Sequence, residues 1–86
     1  MENIKQVQNI IREYDKLLRR ARHIARLLKL NEKNPGYSLC SVSLYKNFIE
    51  YDYQEISNTT HFYVSIPLDY LCMTDKEIIN EINNPY

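Results

Sequence analysis

Residues 3–31 read NIKQVQNIIREYDKLLRRARHIARLLKLN, and this stretch decides the fold of the chain. Its apolar residues recur at alternating steps of three and four, and a second set spaced by seven widens the stripe into a broad face. No glycine or proline interrupts the pattern before Pro35 and Gly36, which mark a stop and a loop. The pattern predicts one long amphipathic helix over residues 1–33. The first set comprises Ile4, Val7, Ile11, Tyr14, Leu18, Ala21, Ala25 and Leu28, and the second Ile10, Leu17 and Ile24.

Three runs downstream of this helix alternate between apolar and polar residues, as strands with one buried face do. The connections between the runs are short, which predicts an antiparallel meander. Pro67 ends the last run because proline cannot donate to a ladder. The predicted sheet covers residues 37–67, with runs at residues 37–45, 48–54 and 61–66.

The chain closes with a second helical pattern. Thr74 and Glu77 form a capping box, and Met73 and Ile78 supply the flanking hydrophobic staple. This predicts a short capping helix over residues 74–84. The sequence thus predicts a single α+β domain over residues 1–86, in the order long helix, three-stranded antiparallel meander and short helix.

Two cysteines are too few for a disulfide framework or a structural zinc site. Cys40 and Cys72 both stand among apolar neighbours in the sequence. We therefore expect two small buried thiols. In the alternating pattern, Cys40 shares the apolar strand face with Val42 and Leu44.

The lengths of the predicted elements do not match. The first helix would be about 43 Å long, whereas strands of about six or seven residues span roughly 20–23 Å. The apolar stripe runs the whole helix, so one end would extend past the sheet as a patch larger than monomers usually tolerate. We expect a homo-oligomer in which the first helices pack together, about a two-fold axis. The alternative is a helix that breaks near Arg22 and His23 and folds back.

All five arginines lie within residues 12–26. Residues 1–33 hold nine Lys and Arg against four Asp and Glu, a net charge of +5, and residues 34–86 hold two against seven, a net charge of −5. The guanidinium fork matches two phosphate or carboxylate oxygens at once, so the cluster favours an anionic ligand. The candidate ligand-binding residues are Arg12, Arg19, Arg22, His23 and Arg26 on the helix, with Tyr45 and Tyr63 on the polar sheet face as a stacking surface for a base.

The arginine cluster has other interpretations. It can hold several phosphates along a groove, or one compact diphosphate in a pocket that a second subunit closes. It can also be a solvated helix face in which Arg22 or Arg26 bridges to an acidic residue of the chain, or a surface for a partner protein. The acidic residues considered for such a bridge are Glu50, Asp52 and Asp69.

Catalytic motifs are missing from the sequence. Gly36 is the only glycine, so a Gly-rich phosphate loop is excluded, and no HExxH motif or nucleophilic serine elbow occurs. His23 and His61 have no cysteine or carboxylate at a catalytic spacing. We therefore expect a protein that is not an enzyme, with no catalytic residue, no metal ligand and no cofactor. The net acidic sheet and the missing RNP-type strand disfavour nucleic acid as a partner.

Composition also bears on location. No apolar run approaches the roughly 18 residues of a membrane span, and the polar residues 1–8 do not resemble a signal peptide. We expect no membrane partner and a cytoplasmic protein of the bacterial cytosol. Few Gly, Ala and Pro, with abundant Asn, Ile, Lys and Tyr, are compatible with a low-GC bacterium or its phage.

Residues 62–71, FYVSIPLDYL, followed by residues 73–79, MTDKEII, resemble the C-terminal half of small phage proteins. The nearest resemblance is to phage anti-defence sponges that sequester nucleotide immune signals, including the family described against Thoeris. It spans residues 39–82 plus the first helix and implies an oligomer that captures a cyclic ADP-ribose-like or cyclic oligonucleotide signal without cleaving it. This chain departs from the family in being short and in lacking a late arginine. The alternative is a phage inhibitor that binds a host defence protein directly.

Overall fold

A long helix, an antiparallel sheet and a short helix follow one another along the chain. The structure is a computed structural model that describes residues 2–83. This order confirms the predicted α+β fold. The elements are α1 (Glu2–Leu27), α2 (Leu30–Lys33), β1 (Tyr37–Leu44), β2 (Phe48–Glu55), β3 (His61–Pro67), a 3-10 turn (Leu68–Cys72) and α3 (Asp75–Asn83). Residue 84, the last of the predicted capping helix, lies outside the described range, as do residues 1, 85 and 86.

The predicted first helix is divided into two at Lys29. Lys29 has φ 55° and ψ 43°, in the left-handed region, and its N–H donates to the carbonyl of Arg26 at 3.0 Å. Residues two apart on one helix point about 200° away from each other, so a continuous helix cannot bury both Leu28 and Leu30. The bend lets both enter the core. Through Arg22 and His23, where a break was the alternative, α1 is continuous.

The sheet has the order β1-β2-β3, and both neighbouring pairs are antiparallel, as the meander predicts. The middle strand β2 supplies Ile49, Tyr51 and Tyr53, all fully buried, to the face that packs on α1. Partly buried apolar residues of β3 stand opposite them. The pairs are Ile49 with Ile66, Tyr51 with Val64, and Tyr53 with Phe62.

A β-bulge in β1 changes which residues face the core. Leu39 pairs with Tyr53 and Ser41 with Asp52, so Cys40 has no partner on β2. An extra residue of this kind shifts the alternation of core-facing and solvent-facing side chains by one position. The prediction that Cys40 shares the inner face with Val42 is therefore wrong, and Cys40 is exposed. Cys72 is exposed as well, at the end of the 3-10 turn, so neither thiol is buried.

The core lies between the C-terminal half of α1 and the inner face of the sheet. Ala21 and Ala25 are small, which leaves room between the helix and the sheet for the long side chain of Tyr51. The Tyr51 hydroxyl donates to the Ala21 carbonyl oxygen at 2.5 Å, and its burial raises the pKa of Tyr51. Strand and helix are thus joined by a buried hydrogen bond as well as by apolar contact. The buried residues are Ala21, Ile24, Ala25, Leu28, Leu30, Ile49, Tyr51, Tyr53 and Ile78.

The capping box predicted at the start of α3 is formed. The Thr74 N–H donates to Glu77 Oε1 at 3.0 Å, and the Glu77 N–H donates to Thr74 Oγ1 at 3.2 Å. These bonds to Thr74 lower the pKa of the Glu77 carboxyl. Ile78 is fully buried and Met73 packs against the core, consistent with the predicted staple. The cap fixes where α3 begins and thereby places Asp75 against α1.

The N-terminal half of α1 has no covering layer within the described part of the chain. Residues 3–17 are all exposed, although they continue the apolar stripe. The sheet covers the stripe only from Leu18 onward, as the mismatch of lengths predicts. The exposed large apolar residues of this half are Ile4, Val7, Ile10, Ile11, Tyr14 and Leu17, each between 42% and 67% exposed.

Candidate anion-binding site

Two of the basic residues in the C-terminal half of α1 are bonded inside the molecule. Arg20 donates from Nη1 to Asp75 Oδ1 at 2.5 Å and from Nη2 to the Met73 carbonyl at 2.6 Å. His23 Nε2 lies 2.7 Å from Asp75 Oδ2. The bond to His23, and then the bond to Arg20, lower the pKa of the Asp75 carboxyl. His23, a predicted ligand residue, therefore holds α3 against α1 together with Arg20.

The other four arginines have no side-chain hydrogen bond or ion pair within residues 2–83. Two of them, Arg22 and Arg26, line a cleft of about 180 Å³, here called the arginine cleft. It brings together two guanidinium groups, one amide and one carboxylate. Its lining residues are Arg22, Ala25, Arg26, Asn31, Glu32 and Leu39.

A second and larger cleft, here called the lysine cleft, adjoins the first at Arg26. Its volume is about 430 Å³, and every charged residue in its lining is basic. Aliphatic side chains of α1 and α3 form the walls. The bend at Lys29 brings Lys29 and Lys33 to the same cleft as Arg26. The lining residues are Arg26, Leu27, Leu28, Lys29, Lys33, Ile79, Ile82 and Asn83.

Size distinguishes the two clefts. Pockets that hold small organic ligands usually measure about 300–1,000 Å³. The lysine cleft lies within that range and the arginine cleft lies below it. The lysine cleft is therefore of a size usual for small-ligand sites, and the arginine cleft adjoins it at Arg26.

The remaining predicted ligand residues do not reach this site. Arg12 lies fourteen residues before Arg26, about 21 Å along the helix, and Arg19 lies about 10 Å from Arg26 along the same axis. Tyr63 pairs with Asp52 on the sheet face turned away from α1. Tyr45 stacks on Phe48, with ring centroids 4.8 Å apart and an angle of 22° between the planes. A base that stacks on Tyr45 or Tyr63 thus lies on another surface of the protomer.

A buried hydroxyl lies near the wall of the arginine cleft. Tyr53 is fully buried, and its hydroxyl has no hydrogen-bond partner among residues 2–83. Burial raises the pKa of Tyr53, and the negative charge of Glu32, a lining residue, raises it further. An unpaired buried hydroxyl costs on the order of 1–3 kcal/mol.

Sequence reasoning missed Lys29 and Lys33 as site residues. Their spacing of four, at the C-terminal end of the basic segment, was the available signal. It was insufficient, because only the bend at Lys29 brings these two lysines to one cleft with Arg26.

Both histidines contact a carboxylate, which the spacing in the sequence does not reveal. His61 Nδ1 lies 2.7 Å from Asp52 Oδ1 across the β2–β3 pair, and His23 bonds to Asp75. Such pairs orient an imidazole, but nucleophilic catalysis also requires a hydroxyl or thiol in reach of the ring. Within residues 2–83, neither imidazole receives a hydrogen bond from a hydroxyl or thiol.

The described residues hold neither a cluster of metal ligands nor a membrane-spanning helix. Residues 2–83 contain no group of three or more His, Cys, Asp or Glu side chains arranged to hold a metal ion. Over the same range, every helix is too short or too polar to span a bilayer.

Comparisons with known proteins identify no relative of this chain. No family model, no curated protein and no solved structure matches the chain. The resemblance of residues 62–79 to phage sponges stays a prediction, and the function is inferred from the residues and the geometry of the two clefts.

Proposed function

We propose that this chain is a non-enzymatic, phage-type anti-defence protein that self-associates through α1 and sequesters an anionic nucleotide immune signal. The signal is a cyclic ADP-ribose-like molecule or a cyclic oligonucleotide. The observation that carries the ligand class is the lysine cleft, where Arg26, Lys29 and Lys33 line a volume of about 430 Å³ with aliphatic walls. The phage and anti-defence parts rest on the sequence resemblance.

The chemistry of the lysine cleft suits a phosphorylated ligand with an apolar body. Arg26 offers two parallel donors to phosphate oxygens, and Lys29 and Lys33 add mobile point charges. Leucine and isoleucine side chains cover the faces of a base or ribose. The C-terminal end of α1 carries about half a negative charge, which disfavours an anion. The three full positive charges of Arg26, Lys29 and Lys33 outweigh the partial negative charge of the helix end.

The arginine cleft can recognise a different part of the same ligand. Arg22 and Asn31 donate hydrogen bonds, whereas Glu32 accepts them. A carboxylate repels phosphate but bonds well to ribose hydroxyls or to an exocyclic amine. A ligand that occupies both clefts, on either side of Arg26, would place phosphates in the lysine cleft and a sugar or base edge in the arginine cleft.

The proposal is tested by binding followed by release. The protein is incubated with a panel of cyclic dinucleotides, cyclic trinucleotides and ADP-ribose isomers, heat-denatured, and the released ligand is analysed by mass spectrometry. Recovery of an intact ligand supports sequestration. Recovery of a hydrolysed product would show an enzyme, and no binding across the panel would remove the nucleotide proposal.

A matched pair of variants locates the site. Lys33→Ala removes a lining cation from the lysine cleft, and Lys46→Ala removes an exposed cation from the β1–β2 turn. Binding should weaken in Lys33→Ala and remain unchanged in Lys46→Ala. Equal losses would indicate only general electrostatic attraction.

Direct inhibition of a host defence protein is the second candidate function. The observation that favours it is the exposed apolar half of α1, since such patches often mark protein interfaces. Affinity capture from host lysate distinguishes the two candidates. A single host protein retained by the wild type, and lost when Ile11 is replaced by aspartate, would favour inhibition over nucleotide capture.

A further inference from the structure

The uncovered half of α1 is large enough to form a specific interface. Its six apolar residues, Ile4, Val7, Ile10, Ile11, Tyr14 and Leu17, expose roughly 600 Å² per chain, at the upper end of what monomers show. Covering this surface on two chains would bury about 1,200 Å², the lower end for specific interfaces. The exposed face continues the face that packs on the sheet, so a partner helix would extend the layer of the sheet.

We infer that this surface binds a second copy of the chain, with the two α1 helices antiparallel and the two-fold axis near Asn9. In this register, Ile4 of one chain lies opposite Tyr14 of the other. Val7 lies opposite Ile11. Both of these layers of the helix–helix interface, here called the seam, therefore pair two apolar side chains. The stripe is thus complementary to itself when reversed, as a two-fold interface requires.

The polar residues beside the stripe are compatible with the same arrangement. In an antiparallel pair, each flank of the stripe faces the same flank of the partner helix. The polar Gln6 then stands near Glu13 of the second copy, twice per dimer, whereas Lys5 lies one turn before Asn9 on the outer face of the dimer.

The length of the exposed stretch also favours an antiparallel pair. Residues 3–17 extend about 21 Å, and the sheet layer begins where this stretch ends. An antiparallel partner fills that gap from end to end, and the two sheets stand at opposite ends of the dimer. A parallel pair would instead place both sheets at the same end of the seam.

This arrangement deepens the proposed function by determining how many chains form each ligand site. Arg26 lies about 25 Å along the helix from the two-fold axis, beyond the reach of the partner helix. Each lysine cleft is then built from one chain. Ligand affinity is therefore expected to survive dissociation of the dimer, and the two sites are expected to bind independently.

The test compares two aspartate variants on the same turn of α1. Ile11→Asp lies in the seam, and Asn9→Asp lies on the opposite face. Light scattering across micromolar concentrations should give twice the chain mass of 10.4 kDa for the wild type and for Asn9→Asp. Ile11→Asp should raise the dissociation constant by roughly a hundredfold, because two unpaired charges enter one seam. Circular dichroism should be unchanged, since Ile11 is already exposed within one chain.

A monomeric wild type, or a variant Ile11→Asp that stays dimeric, would overturn the inference. Neither result depends on nucleotide binding, so failure of the dimer is distinguishable from failure of the proposed nucleotide capture. A monomer that captures one host protein through Ile11 would assign the surface to that partner instead.

Orientation is tested with spin labels in a Cys40→Ser, Cys72→Ser background, which removes two exposed thiols. Labels are placed at position 9 in one sample and at position 16 in another. An antiparallel pair keeps the two labels at position 9 level along the axis and separates those at position 16 by about 21 Å. Equal label distances in the two samples would indicate a parallel pair and overturn the antiparallel arrangement.

Discussion

The two halves of α1 carry the same apolar stripe and have opposite environments. Ile10 and Ile24 belong to the same set of apolar residues spaced by seven, yet Ile10 is 67% exposed and Ile24 is fully buried in the core. The pattern in the sequence determines which face of the helix is apolar, whereas the length of the sheet determines how much of that face is covered. The difference makes the covered half part of the core and leaves the uncovered half available for the proposed interface.

The largest expected effect comes from truncating the same residue type in each half. Ile24→Ala should lower the free energy of unfolding by about 2–5 kcal/mol, because it opens a cavity in the core. Ile10→Ala should change the stability of the monomer by less than about 0.5 kcal/mol. Chemical denaturation at low protein concentration measures both. Equal losses would mean that residues 3–17 are covered within one chain.

A smaller effect is expected from the hydrogen bond between the sheet and α1. Tyr51→Phe removes the second donor to the Ala21 carbonyl, which keeps its intrahelical bond from the Ala25 N–H, so the change should cost about 0.5–1.5 kcal/mol. Tyr53→Phe is the matched control, since its hydroxyl bonds to no group within residues 2–83. Removing that hydroxyl should be neutral or stabilising. A large loss in Tyr53→Phe would show that the hydroxyl has a partner.

These contrasts show what the sequence could predict and what it could not. Alternation and the Thr74–Glu77 capping box determine the elements and their order, because both depend on near neighbours. The bulge at Cys40 and the bend at Lys29 depend instead on distant packing: the bulge occurs where β1 pairs with β2, and the bend buries Leu28 and Leu30 together. Both the bulge and the bend change which side chains face the core.

The candidate site was less predictable than the fold for the same reason. The sequence identified Arg22 and Arg26, which the structure does bring to one cleft. It did not reveal that Asp75, fifty-two residues away, bonds to His23. Nor did it separate Tyr45 and Tyr63 from the arginines, since that requires knowing which sheet face meets α1.

A pH-dependent contribution to the stability of the fold is expected where α3 contacts the covered half of α1. The folded-state pKa of Asp75 is lowered from 3.8 by its bonds to His23 and Arg20. The stabilisation is therefore fully present above the unfolded-state pKa and is lost as pH falls through the lowered folded-state pKa. Asp75→Asn should melt below the wild type at neutral pH, and the difference in Tm should shrink in acid. A difference that is constant with pH would mean that ionisation of Asp75 does not stabilise the fold.

Replacing Arg26, which has no ion pair within residues 2–83, should have the smallest effect on stability and the largest effect on ligand binding. Arg26→Ala should weaken nucleotide binding by about 1.5–3 kcal/mol, the scale of a charge-assisted hydrogen bond. Arg26→Lys should restore only part of this loss, because lysine lacks the bidentate fork. Stability should change by less than about 0.5 kcal/mol, since residues 2–83 offer Arg26 no ion pair.

Arg12→Ala is the matched control for Arg26→Ala. It removes the same side chain from the uncovered half of α1, about 21 Å from Arg26 along the helix. Calorimetric titration should show nucleotide affinity unchanged in Arg12→Ala and reduced in Arg26→Ala. If both variants bind equally weakly, the ligand is recognised by the overall field of the basic helix rather than by the lysine cleft. If Arg26→Ala binds normally and unfolds more easily, Arg26 stabilises the fold and the cleft is not the binding site.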